Sequence, residues 1–403
     1  MSKPTHIKST YKVVKAVADG GAGHRGPENL RMVQNYSYDQ IHGAEHFYEI
    51  GDEQIVSTAY DPLSTDISLD FNLSNQSFAN LCKICNVHGR DYINQSDFEN
   101  AHVDLIVPQT DDGSTLKSSV LLPYAFFTGM DMNFSVDGVA TEAIRFTGGM
   151  DEEFLNDYKN LDGERLVSGT YGGANTVFTT EESATDKTVH YLYVDGQKYT
   201  TGFTWSTNTL TVTDLDVSDA DHVALFWSST GSTYTMITPE TDDIGGFKGP
   251  QCELRLAYGS DPVAGDKWLR AQTASISIPL DRDELRELGT EQPIGRSLNY
   301  PLNITVTVDL LESDLEEYAN EFAGQTFSTV DILNPKMFES RDDIRMFVII
   351  KDPVDSSERY AIAVTNMRVD GHGVRMAVRD KGTVSWNFTA DSIQFAAESA
   401  NFA

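Results

Sequence analysis

Apolar and polar residues alternate with a period of two along several stretches of the chain, the period of a strand with one buried face. Ile67, Leu69, Phe71 and Leu73 occupy every second position, with Ser68, Asp70 and Asn72 between them. The period then lengthens. Ser74 or Asn75 can cap a short helix carrying Phe78, Leu81, Cys82 and Cys85 on one face, and Gly89 is placed to end it. Strands are expected at Val103 to Val107, Leu116 to Leu122 and Ala125 to Val136, with a tight turn at Asp137-Gly138 leading into Val139 to Phe146.

The same order returns later. Ala274, Ile276 and Ile278 alternate with serines, Asp281 can cap a helix holding Leu285 and Leu288, and Gly289 stands where that helix should stop. Leu302 to Leu311 alternates again, Glu312 to Phe322 reads as a helix, and three strands follow at Ile344 to Ile350, Ala361 to Val369 and Val374 to Phe388. Their turns are placed at Asp352-Pro353 and at Asp370-Gly371-His372-Gly373, the second echoing Asp137-Gly138. Few residues are identical between the two stretches, so the duplication they imply rests on the order of elements.

Between them, residues 151–250 are rich in Thr, Ser, Gly and Tyr. Short strands around Leu192, Val194, Thr204 to Thr213 and Val223 to Trp227 outline a small inserted β-sandwich. Gly148-Gly149, Gly245-Gly246 and Gly249-Pro250 read as its hinges. The expected organisation is all-β with short flanking helices: an N-terminal arm over 1–45 with one strand near Tyr11 to Val17, a first β domain over 46–150, the insert over 151–250, and a second β domain over 251–403. A chain of 403 residues has room for several such cores.

Composition narrows the function. Sixty-one acidic residues against thirty basic ones give a formal net charge of −31. Gripping nucleic acid requires clustered Lys and Arg that displace counterions, and the sequence has no basic run. Two explanations of the charge stay open: a solvated surface, or adaptation to molar salt, where screening removes the self-repulsion. Cys82, Cys85 and Cys252 are too few for a disulfide framework. No run of about 20 apolar residues offers to cross a membrane, and none at the N-terminus suits a signal peptide.

Candidate chemistry is sparse. Cys82-x-x-Cys85 with His88 has the residue types of a zinc site, but it lacks a second pair and lies on an apolar helix face, which favours buried, inert cysteines. His372 between two glycines reads as a turn residue. Asp151-Glu152-Glu153 and Asp342-Asp343 lack the spacing of a calcium loop. The sequence contains neither a Walker phosphate loop nor a nucleophile elbow. No catalytic residue, cofactor or metal is therefore expected, and the chain is not expected to be an enzyme.

Two stretches resemble the major tail tube proteins of tailed viruses, including those of halophilic archaea. In Ala271 to Leu310 the family's R-x-x-L-x-x-L-G helix matches Arg282, Leu285, Leu288 and Gly289, and its R-x-x-x-(Y/F)-P strand matches Arg296, Tyr300 and Pro301. In Val120 to Gly148 the L-P strand matches Leu122-Pro123. The V-D-G-x-A-T-E turn matches Val136, Asp137, Gly138, Ala140, Thr141 and Glu142 around Val139. The resemblance implies a β-sandwich whose inner strands join those of neighbouring subunits around a lumen, in a virion tail assembled in the host cytoplasm. It implies partners in further copies of the chain and in tape measure, tail terminator and baseplate proteins, with DNA passing unbound. Two tube domains per chain imply rings of three copies with a pseudo-sixfold lumen, whereas a single larger sandwich would need six. The competing expectation is a virion decoration or host adhesin, with Tyr191, Tyr193, Tyr199, Phe203, Trp205 and Trp227 of the insert as an aromatic contact patch.

Overall fold

A computed structural model describes residues 8–9, 12–14, 27–41, 44–48, 55–60, 64–87, 89–99, 101–110, 116–148, 153–154, 161–166, 169–170, 176–180, 183–213, 215, 217, 223–229, 246–258, 261–262, 271–285, 295–311, 344–375 and 383–402. The fold is all-β. The first half runs β1 Lys8–Ser9, β2 Lys12–Val14, β3 Pro27–Asn29, β4 Val33–Ile41, β5 Ala44–Tyr48, β6 Ile55–Tyr60 and β7 Ser64–Asn72. Helix α1 Ser77–Ile84 follows, then β8 Tyr92–Asn94, β9 His102–Thr110, β10 Leu116–Ser135, β11 Thr141–Gly148 and β12 Glu153–Phe154. A middle segment holds β13 Leu161–Leu166, β14 Gly169–Thr170, β15 Thr176–Thr179, β16 Lys187–Val194, β17 Gln197–Tyr199, β18 Phe203–Ser206, β19 Thr209–Val212 and β20 Val223–Ser229. The second half runs β21 Cys252–Tyr258, β22 Ala271–Pro279, β23 Arg282–Leu285, β24 Gly295–Leu298, β25 Ile304–Leu311, β26 Ile344–Lys351, β27 Glu358–Arg375, β28 Thr383–Ala390 and β29 Ser392–Ala396.

One large antiparallel sheet has the order β4-β7-β11-β10-β22-β25-β28-β27 and so contains strands from both halves. Its strands alternate as the sequence pattern requires: Ile67, Leu69 and Phe71 of β7 and Ile304, Val306, Val308 and Leu310 of β25 are buried. The long strands β10 and β27 leave this sheet at their first halves and enter a second layer. There β10 pairs with β9 and β12, and β27 pairs with β26 and β29. The apolar faces of the two layers enclose one core that includes Val103, Leu105, Met130, Ile276, Met346 and Val364. Burying each side chain of this size contributes about 1.5–3 kcal/mol.

The two halves have the same topology. The order β2, β4, β7, β9, β10, β11, β12 recurs as β21, β22, β25, β26, β27, β28, β29, with every pairing reproduced. Each half also places a hairpin, β5–β6 or β23–β24, between its first two large-sheet strands. The irregularities coincide too. A bulge separates Phe127 from Gly129 in β10 and Val369 from Gly371 in β27. Another separates Val33 from Asn35 in β4 and Ala271 from Thr273 in β22. Where β10 and β27 change layer, Tyr124 and Asn366 both adopt a left-handed backbone, at φ 52° and 55°.

Several expectations change. Residues 33–41 are no part of an arm, since β4 is the edge of the large sheet. The helix expected from Asp281 to Gly289 is instead a strand at Arg282–Leu285, paired with Gly295–Leu298, while Leu288 and Gly289 lie outside the described residues. Cross-strand pairing overrides the helical spacing of the leucines there. The counterpart of β22 is therefore β4, not β7. Asp370-Gly371 is no turn: β27 runs straight through it, and the glycine marks a bulge rather than a chain reversal. Leu116 to Leu122 and Ala125 to Val136 likewise form the single strand β10. Helix α1 ends before Gly89. Asn86 takes the left-handed position at φ 56°, with Val87 N–H donating to Cys82 O and Asn86 N–H to Lys83 O, a Schellman closure. The helix expected over Glu312 to Phe322 lies outside the described residues.

Strands β13 to β20 form two four-stranded sheets with their own core, including Phe178, Leu192, Leu210 and Trp227. This sandwich rests on the first half. Ile106 and Leu121 pack with Leu161, Tyr193, Ala224 and Phe226.

Candidate functional site

The outer face of the large sheet is built almost entirely from short polar side chains. The alternation that buries Ile67 and Leu69 turns Asp66, Ser68, Asp70 and Asn72 of β7 outward. The same parity presents Ser37 and Asp39 of β4, Asp131 and Asn133 of β10, and Thr141, Arg145 and Thr147 of β11. Across the joint it presents Thr273, Ser275 and Ser277 of β22, Thr305, Thr307 and Asp309 of β25, Ser385, Asn387 and Thr389 of β28, and Arg368 and Asp370 of β27. Among the described residues this face has no Lys and no Glu.

Neighbouring strands hold its acids in place. Thr147 Oγ1 donates to Asp66 at 2.9 Å and Thr273 Oγ1 to Asp309 at 2.7 Å, while Ser385 donates to Asp309 and Thr389 to Asp370. Asn35 Nδ2 donates to Asp70 at 3.3 Å. Asp131 accepts from both Ser277 and Arg145. The result is a flat, hydroxyl-rich, mildly acidic surface. It lacks the clustered cations that phosphate binding needs.

The two halves meet on this sheet where β10 pairs with β22, from Gly129 opposite Pro279 to Ser135 opposite Thr273. Leu280 N–H donates to Thr128 O at 3.0 Å and Val136 N–H to Gln272 O at 2.9 Å, extending the joint at both ends. A Cβ on Gly129 would lie 3.1 Å from Ile278 O and 2.8 Å from Arg145 Nη2, so this glycine admits the neighbouring strand. At the ends of the sheet, β4 pairs only with β7, and the second half of β27 only with β28, among the described residues.

Arg282 and Arg296 lie together on the β23–β24 hairpin and secure it to the first half. Arg282 donates to Phe127 O at 2.8 Å, to Glu99 O at 2.7 Å and to Phe98 O. Arg296 donates to Thr147 O and pairs with Glu284 at 2.7 Å. Both guanidinium groups stand over the Phe126 ring, and burial lowers the Arg282 pKa to about 10. Leu285 and Tyr300 are each 50% exposed, and Pro301 follows a cis peptide bond. Leu122 and Pro123 are buried at the layer change, whereas exposed Asp137 and half-buried Gly138 form the link from β10 to β11. These positions do not converge on one site.

The burial of several polar groups escaped the sequence analysis. Glu142, the last residue of the V-D-G-x-A-T-E stretch, points into the core, and burial pushes its carboxyl up to about 8. Tyr360 is buried within its electrostatic reach. Beneath the inserted sandwich, Arg165 reaches His102, and Asp104 accepts Tyr124 N–H at 2.8 Å. Burial raises the Asp104 pKa and lowers that of Arg165 to about 10, each opposed by the other's charge. The signal was present: Glu142 shares the inward parity of Ala140, Ile144 and Phe146, and Asp104 interrupts the apolar run Val103 to Val107.

The aromatic patch expected on the insert is largely interior: Trp227 and Tyr193 are buried, and Tyr199, Phe203 and Trp205 pack against the sandwich core. Cys82 and Cys252 are half-buried and Cys85 is buried, none of them in a disulfide, and His88 lies outside the described residues. Among the described residues, no three His, Cys, Asp or Glu side chains converge as a metal site.

No family model matches the chain, and no curated protein sequence matches it. Among solved structures, the chain is similar to the cap that terminates the tube of the anti-feeding prophage. The likeness has 12% identity and a TM-score of 0.28, and it covers 40% of this chain and 95% of that one.

Proposed function

We propose that this chain is the building block of a virus tail tube, a structural virion protein whose copies close into rings and stack around a channel for the genome. The observation that carries this reading is the large sheet. It has one apolar face and one face of pinned Asp, Ser, Thr and Asn, it contains two equivalent halves, and among the described residues it ends in two unpaired edges. Such a sheet suits a channel lining, because short hydroxyl and carboxylate groups offer DNA neither counterion release nor basic footing. Two equivalent halves per chain make a three-copy ring pseudo-sixfold. In this reading the chain is not an enzyme, its partners are other copies and the tape measure, terminator and baseplate proteins, and its −31 charge suits assembly at high salt.

Electron microscopy of the purified chain tests it. Hollow tubes of stacked three-copy rings are expected. Six identical chains per ring would overturn the three-copy arrangement, and small discrete oligomers would overturn the tube itself.

A further inference from the structure

We infer that the edge of β27 seats β4 of a second copy, in the register that β10 and β22 already use within one chain. The inference rests on the tube reading above and adds which strand meets which, and at which residues. The Phe127/Gly129 bulge places Gly371 at the position of Gly129, and the bulge before Asn35 places Ile41 at that of Pro279. The internal pairs Gly129 with Pro279, Asp131 with Ser277 and Asn133 with Ser275 then become Gly371 with Ile41, Gly373 with Asp39, and Arg375 with Ser37 of the next copy.

Gly371 is the independent sign. Its counterpart Gly129 is crowded by the neighbouring strand and by Arg145, yet a Cβ on Gly371 would meet nothing within 4 Å among the described residues. Its φ lies outside the left-handed region, so backbone strain does not call for glycine there, although the bulge admits one. A second copy's β4 would supply the missing crowding. Gly373, equally open among the described residues, would face Asp39 of that copy and leaves room for its side chain. The edge strand is thereby covered by a copy of the chain, which removes the hazard of an open sheet edge.

Two variants test this. A chain with Gly373→Cys and Asp39→Cys should, when oxidised, give a ladder ending at the covalent trimer. Gly373→Cys with Tyr38→Cys, shifted by one residue to the opposite face, should give none. Gly371→Leu should leave the melting temperature of the isolated chain unchanged and abolish ring formation. Normal tubes from Gly371→Leu, or crosslinking in the shifted pair, would overturn the register while leaving the tube reading intact. If the unaltered chain forms no rings, both fail together.

Discussion

Leu121 and Ala363 hold equivalent positions in the two halves, as do Ile106 and Phe347, yet what covers each pair differs. In the first half a whole β-sandwich lies on Ile106 and Leu121. In the second, Phe347 and Ala363 are covered by Phe402 near the C-terminus, beside an open groove lined by Asn94, Asn366 and Gln394. The charge beneath is reversed as well, since Asp104 of β9 is matched by Arg345 of β26. The polar face of the large sheet keeps its short polar character, although the Arg145–Asp131 ion pair corresponds to Asn387 and Gly373 in the second half. Asp70 and Asp309 are equivalent, and each accepts a bond from the neighbouring strand. Strand order and bulges are kept where strands must pair with each other, whereas the outward surface is free to carry different attachments.

The largest effect that would break this contrast lies under the sandwich. Arg165→Ala removes the buried cation whose charge opposes the burial of Asp104, together with its contact to His102, and removing one partner of a buried pair costs about 3–5 kcal/mol. Urea denaturation should show a loss of that order. A loss below about 1 kcal/mol would mean the sandwich is not anchored through this pair. Replacing residues 155–245 by a flexible linker should also destabilise the first half, because it uncovers Ile106, Leu121 and Asp104 together.

Glu142 separates the halves in another way, because its counterpart on β28 is the apolar Val384. A carboxyl with its folded pKa raised to about 8 holds its proton more tightly in the native state than when unfolded. Its contribution is complete below about pH 4.5, declines as pH rises toward 8, and is level above that. Glu142→Gln removes this slope. The variant should match the parent near pH 4 and exceed it by about 3 kcal/mol at pH 7. Parallel melting curves for the two chains from pH 4 to 8 would contradict the burial of an ionisable group there.

Much of this fold was legible in the residues. The period-two runs at Ile67 to Leu73 and at Ile304 to Leu310 became paired strands of one sheet, because a half-buried strand leaves that pattern without reference to its partners. The duplication was legible in outline but misaligned, since the leucine spacing after Asp281 imitated a helix. A stronger signal lay in the sequence itself. Pro62-Leu63 and Pro301-Leu302 each precede an alternating run at the same distance, Ile67-Ser68-Leu69-Asp70-Phe71 in one and Val306-Thr307-Val308-Asp309-Leu310 in the other. Aligning on those prolines gives the structural equivalence directly. The joint between β10 and β22 could not be read, because register between distant strands is set by packing across the sheet rather than by any local residue type.

A smaller test concerns the shared aspartates. Asp309 accepts from two hydroxyls, those of Thr273 and Ser385, whereas the amide of Asn35 bonds Asp70 at 3.3 Å. Asp309→Ala should cost about 1–2 kcal/mol and Asp70→Ala about half of that. Equal losses in thermal denaturation would show that the hydroxyl bonds do not distinguish the two positions.

The smallest expected effect completes the comparison between the outer faces. Arg345 occupies the position of Asp104, but its carboxylate partner Asp261, at 2.7 Å, is 67% exposed, and Arg345 itself is 32% exposed. Water solvates both members of that pair, so their attraction is screened and either charge can be rehydrated when the other is removed. Arg345→Ala should therefore cost no more than about 1 kcal/mol, and that cost should shrink as salt is raised. Arg165→Ala should change little with salt, because the site it leaves is buried and out of reach of mobile ions. The two variants thus differ in size and in salt dependence, although they alter matched layers of the repeat. Equal, salt-independent losses would mean that the second half is as deeply covered as the first, and that something larger than Phe402 lies over β26.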